Sequence, residues 1–443
     1  MKRFFQTIKN IFSIEDLRTR ILNTIGFLII FRLGSYIVLP GIDAVALEAQ
    51  LASGANQSGI FGLINTFLGG SFSRVSIFAL GIMPYISASI VIQLLTVAVP
   101  QFSKMQKEGE SGRKKLNQYT RVLTIFITAA QSYGYLRTTV PNELILSPGF
   151  FFTFSSIVIL VAGTMFCMWL GERITDKGIG NGISMLIMIG IVSRFPSAIV
   201  QEFFDKSEGG ALIIFILELL ALFFVVVGVI ALTQAVRRIP VQYAKQVVGN
   251  KLYGGKRDFI PLKLNSSGVM PIIFAQALMF IPPLIAGIWQ DSDISAYVGS
   301  AFADFTSWQY NLVFGILILV FTFFYTAITV PSNDIADNLK RGGGFIPGIK
   351  PGKPTAEFID TVLSRITLPG ALFLIAVAIL PAFAVLFGIT QNFAQFYGGT
   401  SLLILVGVVL DTLQQIESYL LMRHYEGMMK SGRVKGRSQF AAA

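Results

Sequence analysis

The chain has 443 residues, 53% of them hydrophobic and only 13% charged. Soluble globular domains carry about 25% charged residues, so a water-soluble enzyme or binding domain is excluded and a polytopic membrane protein is expected. The net charge is +11, and the single cysteine, Cys167, excludes a disulfide framework. No Cys/His cluster has metal-site spacing, and no metal or other cofactor is expected.

Residues 1–20, MKRFFQTIKNIFSIEDLRTR, are basic and precede an apolar stretch without an A-x-A-like cleavage site. They read as a cytoplasmic amphipathic lead-in to an uncleaved first span. Apolar segments of about 20 residues can cross the hydrocarbon core. Ten are predicted, at about 21–39, 75–98, 120–138, 151–171, 182–201, 211–232, 267–288, 309–330, 366–388 and 399–421. The fifth is interrupted by Arg194 and Pro196. Residues 58–95 form an apolar run too short for two crossings and too long for one, broken by Gly69-Gly70 and Arg74.

Charge sets the sides. The N-terminus, the regions 99–121, 172–181, 233–266 and 331–365, and the C-terminal tail hold 30 of the 35 lysines and arginines. Basic loops resist translocation, so these regions and both termini are expected in the cytoplasm. The five others are Arg32, Arg74, Arg137, Arg194 and Lys206. Ten spans also suit two five-helix halves of inverted topology. The halves expected are 21–204 and 205–421, with a cytoplasmic tail at 422–443.

Ionisable groups at membrane depth mark many transporters. Here they are Glu218, which reads as interfacial, and Asp411, which reads as a packing or cytoplasmic polar contact. GIGNGIS at 178–184 lacks the strand context and lysine of a phosphate loop. No nucleotide or catalytic-triad motif is present, so an enzyme is not expected. His424, the only histidine, reads as a solvated surface residue.

The loop 233–266 carries seven basic residues against one acid, and VQYAKQVV and KLYG flank Gly249-Asn250 as in a hairpin. The loop 331–365 reads as a short helical piece before a Gly/Pro-rich tip. Such loops suit contact with anionic lipid or docking of a large anionic or RNA-bearing partner. Ile82 and Ile86, and Ile183 and Ile187, each share a helix face. Apolar constrictions of that kind can gate a pore. On composition, periodicity and charge alone, a secondary transporter for a small solute fits best. A polypeptide channel and a ribosome-binding membrane scaffold stay open.

Longer motifs add a resemblance. GIMPYISASIVIQLL (81–95), KEGESGRKKLNQYTR (107–121), GTMFCMWLGERITDKGIGNGIS (163–184), DNLKRGGGFIPGIKPGKPT (337–355) and GGTSLLILVGVVLDT (398–412) resemble the bacterial SecY family, in order and over essentially the whole chain. The resemblance implies an all-α membrane protein with ten transmembrane helices in two inverted halves around an hourglass pore with a lateral gate. It implies a protein-conducting channel in the bacterial plasma membrane, with SecE and SecG subunits, the SecA motor ATPase, ribosomes, signal peptides and nascent chains as partners.

Matched residue by residue, the family's pore ring falls at Ile82, Ile86, Ile183, Ile187, Ile273 and Ile404. An apolar collar can fit any passing chain without holding it, and presents no charge to ions. Residues 59–74 resemble the family's plug, a short helix in the external funnel. Its members are Phe61, Leu63, Ile64, Asn65, Phe67, Leu68, Gly69, Gly70 and Arg74, with the glycine pair as hinge. Ser87, Gln93, Gln131, Asn265 and Gln276 are candidate polar groups of the lateral gate. Arg237, Arg238, Lys245, Lys251, Arg341 and Lys350 are candidate docking residues for motor or ribosome. Lys350 stands where the family usually carries arginine, which keeps the charge but loses the bidentate fork. Asn250 stands where a basic residue is frequent.

Overall fold

Each of the ten predicted apolar segments carries a helix in the computed structural model, which describes residues 14–52, 65–243, 245–248, 251–254, 257–279, 301–302 and 304–430. The helices in the first part of the chain are α1 (Glu15–Gly34), the short α2 (Ala44–Ala52), α3 (Met83–Ala98), α4 (Pro100–Lys107), α5 (Glu110–Thr138), α6 (Phe150–Lys177), α7 (Gly182–Glu208) and α8 (Leu212–Gln234). Then follow strands β1 (Val236–Tyr243), β2 (Lys245–Val248), β3 (Lys251–Gly254) and β4 (Arg257–Lys263), and helices α9 (Met270–Met279), α10 (Trp308–Thr329) and α11 (Ser332–Arg341). Strand β5 (Gly344–Phe345), α12 (Lys353–Leu386), α13 (Gln391–Ala394) and α14 (Gly399–Lys430) complete the order. Among the described residues six helices are long and apolar enough to cross a membrane, and the α3–α4 pair, bent by 99°, adds a seventh. The protein is an all-α multi-pass membrane protein.

Two starts differ from the hydropathy pattern. Helix α1 begins at Glu15, ahead of its apolar stretch, because Glu15 and Asp16 in its first turn complement the positive helix terminus. Helix α3 begins at Met83 and not near Val75. Val75 and Gly81 hold φ of 47° and 50°, which no right-handed helix allows. Pro84, in the first turn of α3, has no N–H to lose there.

The chain divides into two compact units. One comprises the described residues up to 194 together with those from Val408 on, and the other runs from Phe195 to Gly407. The first boundary falls inside α7 beside Pro196, which removes an intrahelical hydrogen bond.

In the N-terminal unit, α5 buries Thr120, Thr124 and Thr128. Each hydroxyl donates to the carbonyl four residues earlier, at 2.6–2.9 Å, so none enters the interior unpaired. Arg121 on the same helix donates to both carboxylate oxygens of Glu172 on α6, at 2.7 and 2.8 Å. The GIGNGIS turn between α6 and α7 is stitched to other elements of its unit. The Ile179 N–H donates to Thr24 Oγ1 at 3.0 Å and the Gly180 N–H to Gln415 Oε1 at 2.8 Å. Its glycine at the head of α7 is there for space: a Cβ on Gly182 would lie 1.9 Å from the Gly171 carbonyl oxygen.

In the C-terminal unit the two long basic loops fold together. β1 pairs antiparallel with β4, with Arg238 opposite Pro261 and Ile239 opposite Ile260, and its end pairs with β5, Gln242 opposite Phe345. The sheet order is β4-β1-β5, and β2–β3 form the predicted hairpin. Ile239, Val241 and Leu262 from the sheet share a core with Leu339 of α11, Ile346, and Ile359 and Leu363 of α12.

A Gly182→Ala substitution is expected to lower the thermal unfolding midpoint of the purified protein by several degrees. It forces a methyl group onto fixed backbone, an overpacking cost of about 1–3 kcal/mol.

Candidate functional site

The expected plug is only partly described, since Phe61, Leu63 and Ile64 lie outside the described residues. From Asn65 on, the chain makes one helical turn and then a succession of turns up to α3. Asn65, 1% exposed, organises it: its Oδ1 accepts the Ser73 N–H at 3.1 Å and its carbonyl accepts the Gly70 N–H at 2.8 Å. Gly69 and Gly70 hold φ of 62° and 91°, a region that suits glycine. Arg32, in the last turn of α1, donates Nη1 to the Gly69 carbonyl at 2.8 Å and Nη2 to the Tyr36 hydroxyl at 3.0 Å. The Arg74 guanidinium lies over the Tyr36 ring, 4.2 Å from its centre. Gly190 of α7 admits the Phe67 backbone so closely that a Cβ there would lie 2.3 Å from the Phe67 carbonyl oxygen.

Apolar packing completes the seat. Phe67 and Leu68 are buried, and Leu68 and Phe72 share a core with Leu39, Leu136 and Leu160. The Tyr135 hydroxyl donates to the Phe72 carbonyl at 2.6 Å. The segment is thus held by α1, α5 and α7 of its own unit. Arg32, Tyr36 and Gly190 were not singled out by sequence as partners. Arg32 was visible only as one of five basic residues outside the cytoplasmic set.

The six isoleucines divide between the units. Ile82 is the N-cap of α3 and its carbonyl accepts the Ile86 N–H at 3.1 Å, so the two stack one turn apart. Ile183 and Ile187 lie in the first two turns of α7. Ile273, on α9, and Ile404, on α14, belong to the C-terminal unit. Ile82, Ile86, Ile187 and Ile404 are buried, and Ile183 and Ile273 half-buried.

The candidate gate polar groups are occupied locally. Ser87 donates to the Met83 carbonyl at 3.2 Å and Gln93 to Ser89 Oγ at 3.2 Å, both within α3. Asn265 accepts from Ser267 at 3.2 Å. Gln276 on α9 is buried and accepts from Thr400 at 3.0 Å, across to the start of α14. Gln131 is half-buried on α5.

Arg237 and Arg238 are exposed on β1, Arg341 at the end of α11, and Lys350 in the loop before α12. The β1–β5 pairing makes them parts of one folded module. Sequence reasoning treated them as two loops, because strand pairing across about a hundred residues leaves no local signal. The side chains of Lys245, Lys251 and His424 lie outside the described residues. Lys350 also fixes its own loop, its carbonyl accepting the Thr355 hydroxyl at 2.9 Å.

Glu218, expected at an interface, is buried on α8 with Lys206 Nζ 3.3 Å away. Lys206 also approaches Glu202 at 3.7 Å and donates to the Gly388 carbonyl at 2.8 Å. Glu202 accepts both the backbone N–H and the hydroxyl of Thr390. The group ties α7 and α8 to the chain after α12. Asp411 is exposed on α14.

The sequence model of the SecY family matches residues 76–413. A protein translocase subunit SecY from Streptomyces scabiei is 43% identical over 437 residues, covering 95% of this chain and 98% of the relative. A SecY structure, whose plug domain is described as stabilising the closed state of a translocation channel and maintaining a membrane seal, shares the fold. Its TM-score is 0.62 at 17% identity, over 90% of this chain and 92% of that one. Sec61 in a canine ribosome-channel complex also shares it, with a TM-score of 0.59 at 16% identity over 90% and 92% of the two chains. Spanning most of its length at this identity, the match makes the chain a member of the SecY family.

Proposed function

We propose that the protein is a protein-conducting channel that passes unfolded polypeptides across the bacterial plasma membrane and releases apolar segments sideways into the bilayer. One observation carries the reading. Of residues 65–98, only Met83–Ala98 form a continuous helix, while the apolar chain before it folds back as turns seated within its own unit. A solute transporter has no evident use for such a segment, whereas a wide pore at rest needs a seal. The buried carboxylates Glu202 and Glu218 face Lys206, which leaves them poorly suited to a coupling-ion or solute site.

In this reading Ile82, Ile86, Ile183, Ile187, Ile273 and Ile404 form the constriction, and 59–74 the plug. Ser87, Gln93, Gln131 and Gln276, on α3, α5 and α9, and Asn265, in the turn before α9, flank the lateral opening. Modest bonds of about 0.6–2 kcal/mol between helices suit a seam that opens. The basic module bearing Arg237, Arg238, Arg341 and Lys350 receives the energy source, a SecA-type motor ATPase or a translating ribosome. SecE- and SecG-type subunits complete the complex. The channel performs no chemistry of its own, and both termini are cytoplasmic.

Cysteines placed at Ile86 and Ile404 should crosslink to a secretory chain arrested during export, while cysteines at the exposed Phe150 and Phe223 should not. Absence of crosslinks from both isoleucine positions contradicts the constriction. Arg32→Ala removes a charge-assisted bond to the Gly69 carbonyl, worth about 1.5–3 kcal/mol. Together with Gly190→Ala it should raise ion leak of reconstituted resting channels several-fold; an unchanged, tight membrane argues that 65–74 is fixed packing. Arg238→Glu and Lys350→Glu should weaken binding of motor or ribosome at least tenfold with the unfolding midpoint preserved, read by binding titration at constant salt.

A further inference from the structure

Three arginines of the N-terminal unit converge on the glycine pair at 69–70. Arg32 Nη1 lies 2.9 Å from where a Cβ on Gly69 would stand. The three atoms nearest to a Cβ on Gly70 are Arg74 Nη1 and Arg194 Nε, each at 3.5 Å, and Arg194 Nη2 at 3.6 Å. Gly70 therefore leaves a methyl-sized gap that two guanidinium groups reach, with a third beside its neighbour.

The positive charge gathered there is not balanced locally. Among the described residues no carboxylate pairs with Arg32 or Arg74. What these two meet carries partial charge only: the Gly69 carbonyl and Tyr36 hydroxyl for Arg32, and the Tyr36 ring for both. The charges acting on Arg194 are those of Arg74 and Arg32, both of its own sign. Arg74 Nη1 is buried and has no hydrogen-bond partner among the described residues. All three side chains are half-buried, so water screens their repulsion less than it would at an open surface. A buried cation without a counter-charge is costly. The groups aimed at the gap are N–H donors alone, which turn away a cation and call for an acceptor of full negative charge. The size of the gap suits a compact anion, and guanidinium, being weakly hydrated, gives up its water readily to one.

We propose that Arg74 and Arg194, supported by Arg32, form a binding site beside Gly70 for one compact inorganic anion, chloride in ordinary media. The anion accepts the Arg74 Nη1–H and offsets the repulsion among the three cations, and so holds the turns of 65–76 in their seat. The site does not depend on the channel reading; only a link between the anion and a resting seal does.

The test is amide hydrogen exchange of the full chain, purified in a lipid-free neutral detergent, in sodium chloride against sodium gluconate at equal pH and ionic strength. Amides of 65–76 should exchange about fivefold more slowly in chloride, saturably with its concentration, and bromide should act alike, while the amides of α10 respond to neither. Arg74→Gln should abolish the difference. Equal exchange of 65–76 in chloride and gluconate overturns the proposal, and this comparison needs no variant. A chloride effect that persists undiminished in a folded Arg74→Gln protein also overturns it, because the ion would then act elsewhere. Protection that appears in gluconate on adding inorganic phosphate or phosphatidylglycerol, but not with chloride, overturns it in favour of a phosphate-bearing occupant.

Discussion

Backbone amides at membrane depth find no water to bond, so each must be satisfied within the protein. That constraint governs residues 65–82, where the chain abandons the helix among apolar neighbours. The turn carbonyls are met by side chains from distant elements: Gly69 by Arg32, Phe72 by Tyr135. The amides are met by Asn65 and by backbone, with Ile77 donating to Ile37 at 2.9 Å, and the Val75 carbonyl accepts from the Leu39 N–H at 2.9 Å. Helices α1 and α5 therefore do more than pack against their neighbours. They carry the donors that make irregular backbone affordable at that depth.

The same accounting explains the polar residues elsewhere. Buried threonines on α5 return their hydroxyls to their own helix, and Lys206 neutralises carboxylates that would otherwise be stranded. The interior is thus polar in a controlled way.

Much of this was legible in the sequence, and the limits have physical causes. Hydropathy located a helix in each of ten apolar segments, and among the described residues six of these helices, or seven with the bent α3–α4 pair, are long and apolar enough to cross a membrane. The β2–β3 hairpin and the short α11 were readable because turn residues act locally. The start of α3 was not, since it depends on backbone angles at Val75 and Gly81 that apolarity does not record. The pairing of β1 with β5, the Lys206 bond to Gly388 and the Arg32 bond to Gly69 join positions far apart in the chain, and single-sequence patterns carry no register between such positions. The isoleucine positions came from family resemblance, because one turn of helical spacing alone is ordinary packing.

Helix α12 has a mechanical consequence. It starts in the basic module, where Ile359 and Leu363 sit in the same core as the sheet, and continues unbroken to Leu386 through the apolar stretch. Thirty-four residues at 1.5 Å per residue make a rod about 50 Å long. A load taken up by the sheet or by the Lys350 loop reaches the apolar region along a single column, with no flexible joint to dissipate it except the bends permitted at Pro369 and Pro381. The module and the span behave as handle and shaft of one tool.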